Sequence, residues 1–235
     1  VRLWPMQRLV ALCFRAVKRT GVQLGKSEIM KRIMRRIAIG LFLTVVLLGA
    51  GIFAYLQHPM FGGVPDGARL ERIARSPNYR DGEFKTLDPI PPRRGNVIQG
   101  WTRMMFAEKD RPRPEFAVPS VKTNLHGLNT DNDLIIWLGH ASYYIQSGGK
   151  RFLVDPVFNK HASPLPFVNR AFDGTGIYTP EDMPEIDYLL ITHDHWEHLD
   201  YPPVTGLKGK VGAVFAPLGV GAYLQRLGFW ARWGR

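Results

Sequence analysis

The sequence predicts an α/β fold held behind one membrane-spanning helix. Three observations carry that expectation: five short apolar or alternating runs between Leu134 and Ala216, a helical pattern at Leu218–Leu227 behind the last of them, and an uncharged run from Ile37 to Leu56. Strands and helices gathered around one core make α/β layers. An uncharged run of that length matches the thickness of a bilayer.

The charge balance is decided by where the charge sits. Of the net +11, residues 1–36 supply +9 (ten Lys/Arg less Glu28), leaving 21 − 19 = +2 for the rest. A near-neutral body excludes a DNA- or RNA-binding globular domain. With 45% hydrophobic and 22% charged residues, the composition also excludes a disordered chain and a collagen-like repeat. Cys13 stands alone and makes no internal disulfide.

Residues 1–36 form a basic tail and residues 37–56 the anchor. As a helix rising ~1.5 Å per residue, the anchor spans roughly 30 Å. A cleaved signal peptide is the rival reading, but its apolar core is ordinarily about 7–15 residues. Ten Lys/Arg precede the run, while only Arg69, Arg72 and Arg75 follow closely. The positive-inside rule then puts the N-terminus in the cytoplasm of a single-pass protein, in the manner of a bacterial inner-membrane protein. For residues 1–29 two readings stand. Leu9, Val10, Leu12, Cys13, Phe14 and Val17 could form one face of an amphipathic segment on anionic lipid. The favoured alternative is a leader before a start at Met30, because the positive segment directly abuts the span.

Residues 57–133 read as a linker and wrapping arm, with a short helix expected from Val97 to Met105 and stopped by Pro112. Residues 134–235 hold the domain. Leu134–Leu138, Ser142–Gln146 and Arg151–Val154 are expected strands, the last two joined through Ser147-Gly148-Gly149 and the last ended by Asp155-Pro156. Ile186–Thr192 and Val211–Ala216 complete the set.

The end of the Ile186–Thr192 strand carries the chemistry. Three of the seven histidines, His193, His195 and His198, fall within six residues together with Asp194 and Glu197, and Asp200 follows two residues later. In extended backbone residues two apart project to one side, so His193 and His195 can grip one ion. A helical turn beyond them swings Glu197 and His198 towards a second position. Imidazole nitrogens and a carboxylate suit zinc. Asp194 points away from its neighbours. His58, His126 and His161 show no metal-type spacing, and a structural role is favoured for His140.

His193-Asp194-His195-Trp196-Glu197-His198 resembles the His-x-His-x-Asp-His signature of the metallo-β-lactamase superfamily of zinc hydrolases. Trp137-Leu138-Gly139-His140-Ala141-Ser142, Phe152-Leu153-Val154-Asp155-Pro156 and His198-Leu199-Asp200-Tyr201 are similar to the branch containing N-acylphosphatidylethanolamine phospholipase D. The resemblance covers roughly residues 84–228. It implies the N-terminal half of an αβ/βα sandwich, with two zinc ions per complete site. His193 and His195 would hold one metal; His198 and the acidic position, here Glu197 instead of aspartate, would hold the other. Asp155 would orient the histidine loop from behind, its alternative being a turn cap. Asp200 would either bond a ligand imidazole or cap the following turn.

The resemblance further implies a membrane-anchored hydrolase of a lipid phosphodiester, with membrane lipid as partner. Hydrolysis of a soluble phosphate ester or lactone is the alternative within enzymes, and a non-catalytic anchored remnant the alternative outside them. No histidine follows His198 and no acid follows Asp200. The superfamily's later ligands are therefore expected to be missing, as a frameshift or premature stop would leave the chain. Zinc affinity is then expected to be weak and turnover low, with apolar surface exposed at Val211–Ala216 and Phe229–Trp233.

Overall fold

The computed structural model describes residues 6–88, 96, 98–100, 102, 114–165 and 169–229, and the chain divides into two compact units, Val1–His58 and Pro59–Arg235. The first unit is one helix, α1 (Met6–Leu56). Its stretch Ser27–Leu56 is long and apolar enough to cross a membrane, with a mean hydropathy of 2.6. Leu41, Phe42, Leu47 and Phe53 stand exposed along it. Thr44 Oγ1 donates to the Gly40 carbonyl at 2.9 Å, so the helix itself satisfies the run's polar side chain. The face expected at residues 9–17 lies outside the described side chains.

The second unit opens with α2 (Gly67–Ala74) and a small hairpin, β1 (Tyr79–Arg80) with β2 (Glu83–Phe84). Of the helix expected at 97–105, residues 98–100 and 102 are helical and the others lie outside the described residues. The main sheet runs in chain order: β3 (Leu134–Gly139), β4 (Ser142–Ser147), β5 (Lys150–Val154), β6 (Ile186–Leu190), β7 (Val211–Phe215). The first three are antiparallel; β5, β6 and β7 are parallel. Gly148 and Gly149 both have positive φ (56° and 72°), as the tight turn between β4 and β5 requires. Between β6 and β7 lies α3 (Tyr201–Gly206), which Pro202 and Pro203 can enter because first-turn amides need no partner. Helix α4 (Val220–Arg226) follows β7.

One sheet face is the core. Tyr144, Leu153, Leu189 and Val214 pack there against Leu199, Val204, Leu207, Tyr223 and Leu224. The opposite face carries two apolar rows across all five strands. The register aligns Ile135, Ile145, Phe152, Tyr188 and Ala213, then Trp137, Tyr143, Val154, Leu190 and Phe215. Ile135, Trp137 and Phe215 remain 68%, 56% and 47% exposed, so this face has no covering layer among the described residues. Phe229 corrects one expectation: it is buried at 6%, its amide bonded to the Leu224 carbonyl, and it closes the end of α4 against the core. Residues 230–233 lie outside the described residues.

The segment Pro59–Gly63 packs on α4 and on the histidine loop. Tyr223 Oη donates to the Met60 carbonyl at 2.7 Å, and the Phe61 ring meets the Trp196 ring edge-on at 5.5 Å. Gly62, at φ +78°, lies where a Cβ would run into the Tyr223 ring.

Candidate metal centre

The site forms where β5 and β6 end side by side. Parallel pairing sets Val154 opposite Leu190, and the ladder continues as the Asp155 amide donates to the Leu190 carbonyl. Asp155 then turns into the left-handed region, φ +42°, a conformation that aspartate tolerates better than most residues. Ser142 fixes that turn: its Oγ donates to the Asp155 carbonyl at 2.6 Å and accepts from the Val157 amide at 2.9 Å. The Asp155 side chain, 2% exposed, is thereby aimed at the end of β6.

Its carboxylate accepts three hydrogen bonds. Thr192 gives its amide to Oδ1 at 2.7 Å and its hydroxyl to Oδ2 at 2.6 Å, and His198 gives Nδ1–H to Oδ2 at 2.9 Å. Because the Thr192 hydroxyl proton points to Asp155, its oxygen is left to accept from His193 Nδ1 at 3.0 Å. Both imidazoles thus carry their proton on Nδ1, one directly and one through Thr192, and both keep Nε2 as a lone-pair donor. Metal-ligating histidines are oriented in this way by a carboxylate behind them.

The rings cluster in front of this carboxylate. His193 lies 3.9 Å from His198 and 4.7 Å from His195, centroid to centroid, while His140 stands 6.1 Å from His198. His195 is largely exposed, and its Nδ1 is 4.0 Å from Glu197 Oε1. Residues 195–199 make a single turn, with the His198 and Leu199 amides both donating to the His195 carbonyl, and α3 begins only at Tyr201. Asp194 is exposed, and His126 Nε2 bonds the Glu181 carbonyl.

Asp200 stands at the N-cap of α3, its carbonyl accepting from the Val204 amide at 3.0 Å, but its side chain takes neither of the two expected roles. It makes no side-chain cap on α3 and bonds no imidazole; its carboxylate accepts from the Asn159 amide at 3.2 Å and from Asn159 Nδ2 at 2.7 Å. Burial pushes its pKa up to about 6 against the opposing pull of those bonds. The reason is placement: residues 156–160 fold over the loop end and supply donors before the helix does. Thr192, Ser142 and Asn159 carry the arrangement without belonging to any metal-type spacing in the sequence.

In kind and orientation these donors fit a divalent metal, since nitrogen lone pairs and a carboxylate are its ordinary ligands. They do not close around one. Among the described residues, no group of three His, Cys, Asp or Glu side chains converges closely enough to hold an ion.

The chain is similar in sequence to several known proteins. Residues 134–224 match the family described as Beta-lactamase superfamily domain. An uncharacterized protein of Mycobacterium tuberculosis is 32% identical over 169 residues, 69% of this chain and 45% of the relative. A 4-amino-L-phenylalanyl-[CmlP-peptidyl-carrier-protein] 3-hydroxylase of Streptomyces venezuelae is 31% identical over 74% of this chain and 33% of its own length. An N-acyl-phosphatidylethanolamine-hydrolyzing phospholipase D of Caenorhabditis elegans is 34% identical over 40% of this chain and 27% of its own. The crystal structure of CmlA, a diiron β-hydroxylase from Streptomyces venezuelae, aligns with 33% identity and a TM-score of 0.31, covering 42% of this chain and 20% of that one. The chain therefore spans less than half the length of these relatives.

Proposed function

We propose, from the premise that residues 134–224 of this chain belong to the metallo-β-lactamase superfamily, that the protein is a metal-dependent hydrolase of a phosphodiester, with His193, His195, Glu197 and His198 as its metal ligands. The observation that supports this most is the Asp155–Thr192 relay, which engages Nδ1 of both His193 and His198 and leaves Nε2 of each as the lone-pair donor. A divalent metal, zinc in this reading, would be held by these side chains and would supply charge stabilisation and activation of a water. The chain's own residues do the positioning. Asp155 fixes the tautomer of His198, Thr192 passes the same constraint to His193, and Ser142 holds the Asp155 turn.

The lipid reading is favoured over a soluble ester for two reasons. One relative is a phospholipase D by name, and Ser27–Leu56 has the length and hydropathy of a span. In this reading the basic N-terminus lies in the cytoplasm and the histidine loop on the opposite side. The hydroxylase relative supports a second reading in which the same donors take iron, since imidazole and carboxylate suit it as well. Because the described donors do not close on an ion, this chain alone is expected to bind metal weakly and turn over slowly.

The test is metal analysis and phosphodiester turnover on the full chain in detergent. Weakly held zinc, with slow hydrolysis of bis(p-nitrophenyl) phosphate that disappears in His193→Ala and His195→Ala, supports the proposal. Iron retained in preference to zinc favours the hydroxylase reading. Hydrolysis unaffected by both substitutions sinks the ligand assignment, and two tightly bound zincs with robust turnover refute the incomplete set.

A further inference from the structure

We infer that the strap Pro59–Gly63 positions the outer half of the histidine loop, with Phe61 as a positioning residue for His195 and Glu197. The inference rests on the hydrolase reading only in taking those two side chains as metal ligands; the geometry of the loop stands without it. The Asp155 carboxylate reaches the other half. It bonds His198 directly and His193 through Thr192, and among the described residues no bond runs from it to His195 or Glu197. His195 Nδ1 and Glu197 Oε1 are 4.0 Å apart, beyond hydrogen-bond distance, so the two do not fix each other.

The backbone alone does not hold them either. Residues 195–199 form one turn, closed by the His198 and Leu199 amides on the His195 carbonyl. Ordering a single turn costs more than its few bonds return, so it needs a tertiary hold. Leu199, 1% exposed, supplies one at the inner end by sitting in the core. Trp196 supplies the other. It stands between the two ligands, and its ring meets the Phe61 ring at 5.5 Å and 78°, the edge-on arrangement in which aromatic rings attract.

Phe61 serves as a fixed point because the chain is held on both sides of it. The Met60 carbonyl accepts from Tyr223 Oη at 2.7 Å, and the Gly62 carbonyl accepts from Arg226 Nη1. Gly62 leaves to the Tyr223 ring the space that a Cβ would take. Tyr223 is 8% exposed and Leu224 beside it fully buried, so α4 carries the position of the core out to the strap. The strap lies outside residues 134–224, the part of the chain that matches the family. The loop therefore has two separate supports, Asp155 behind His193 and His198, and Phe61 beside the turn that bears His195 and Glu197. Each support should fail without the other.

The experiment uses the full chain in detergent, labelled at histidine and tryptophan for NMR, first without metal and then titrated with zinc. In metal-free Phe61→Ala the His195 ring resonances should shift or broaden, while the His198 Nδ1–H resonance, held by Asp155, stays where it is in the parent protein. Trp196 will shift from the lost ring current alone, so His195 decides. Zinc affinity by competitive titration should fall about 2- to 12-fold, the worth of one edge-on aromatic pair that no longer favours the docked turn. Phe61→Tyr, which keeps the ring, should restore both readouts. Phe61→Leu fills the same space without a ring; it should lose part of the zinc affinity and gives the same reading should the alanine variant fail to fold. In a Trp196→Ala background, adding Phe61→Ala should change zinc affinity no further. Unmoved His195 resonances in both Phe61→Ala and Phe61→Leu overturn the inference. So does a fall in affinity that persists undiminished in the Trp196→Ala background, and so does a displacement of His198 as large as that of His195, which would make the strap a general support of the fold. The two readings fail separately. A parent chain that takes up no zinc sinks the ligand assignment and leaves the metal-free spectra to decide the strap, whereas an unmoved His195 sinks the strap and leaves zinc binding and turnover standing.

Discussion

Replacing Asp155 by asparagine tests the relay with little change of shape. The left-handed backbone at this position, φ +42°, is one that asparagine also accepts, so the turn after β5 should survive. What changes is hydrogen-bond polarity. Oδ1 still accepts from the Thr192 amide, but an NH2 group replaces Oδ2, which in the parent protein accepts from Thr192 Oγ1 at 2.6 Å and His198 Nδ1 at 2.9 Å. A donor facing His198 Nδ1 makes that nitrogen the acceptor and moves the ring proton to Nε2. The lone pair that would meet a metal is then lost. Partners of this kind are worth about 10–100-fold in metal affinity, or about 1.4–2.7 kcal/mol. Loss of a charge-assisted bond inside the sheet end should also lower stability by about 1.5–3 kcal/mol. Long-range 15N–1H correlation spectra report the His198 tautomer directly, and competitive titration reports zinc affinity. If His198 stays protonated on Nδ1 and zinc binds within twofold of the parent, the carboxylate does not set the ligand geometry and the relay argument is wrong.

Other perturbations probe the supports around it. Ser142→Ala strands the Asp155 carbonyl and the Val157 amide in a fully buried position and should cost about 1–3 kcal/mol in urea unfolding; a change below measurement error would show that the turn holds without it. Gly62→Ala should lower Tm, by a destabilisation of about 1–3 kcal/mol, because its φ is +78° and its Cβ meets the Tyr223 ring; an unchanged Tm would mean that Pro59–Gly63 is not seated on α4. Asp187 has its pKa held down by the Arg151 amide and by Lys150, so its contribution is complete above about pH 4 and drains as pH falls further. Asp187→Asn should therefore flatten the acid limb of the stability curve, and an identical limb in the two proteins would contradict that assignment.

The strands were legible because their sides differ. Alternation in Ser142–Gln146 and the Gly148-Gly149 pair specify a hairpin through backbone chemistry alone, and the structure contains it. The clustering of His193, His195 and His198 was legible for the same local reason, since side chains within six residues need little tertiary help to meet. What escaped depends on residues far apart in the chain. Thr192 becomes a relay only because parallel pairing brings β6 beside β5, and a lone threonine at a strand end shows no such partner in one dimension. Asp200 precedes two prolines and invites a capping role, yet Asn159, forty-one residues earlier, reaches it first. Phe229 sits among aromatic and basic residues that suggest a loose end, but the turn after α4 folds it inward.

The mixed direction of the sheet has a consequence for the order in which the molecule comes together. Strands β3, β4 and β5 are joined by tight turns, and hairpins of that kind close in about 1–10 μs. Pairing of β6 with β5 must first bridge residues 155–185, a gap of 185 − 155 + 1 = 31 positions. Its closure entropy must be met before any contact rewards it. Asp155 lies at the near edge of that gap, and Thr192, His193 and His198 lie beyond the far edge. Until the bridge closes, the histidines have no carboxylate behind them and interconvert freely between tautomers. A metal ion offered to the nascent chain would meet three loose imidazoles on a tether, and one offered after closure would meet two whose lone pairs are already set. The order of addition in a refolding experiment should therefore change how fast metal is captured, even where the final complex is the same.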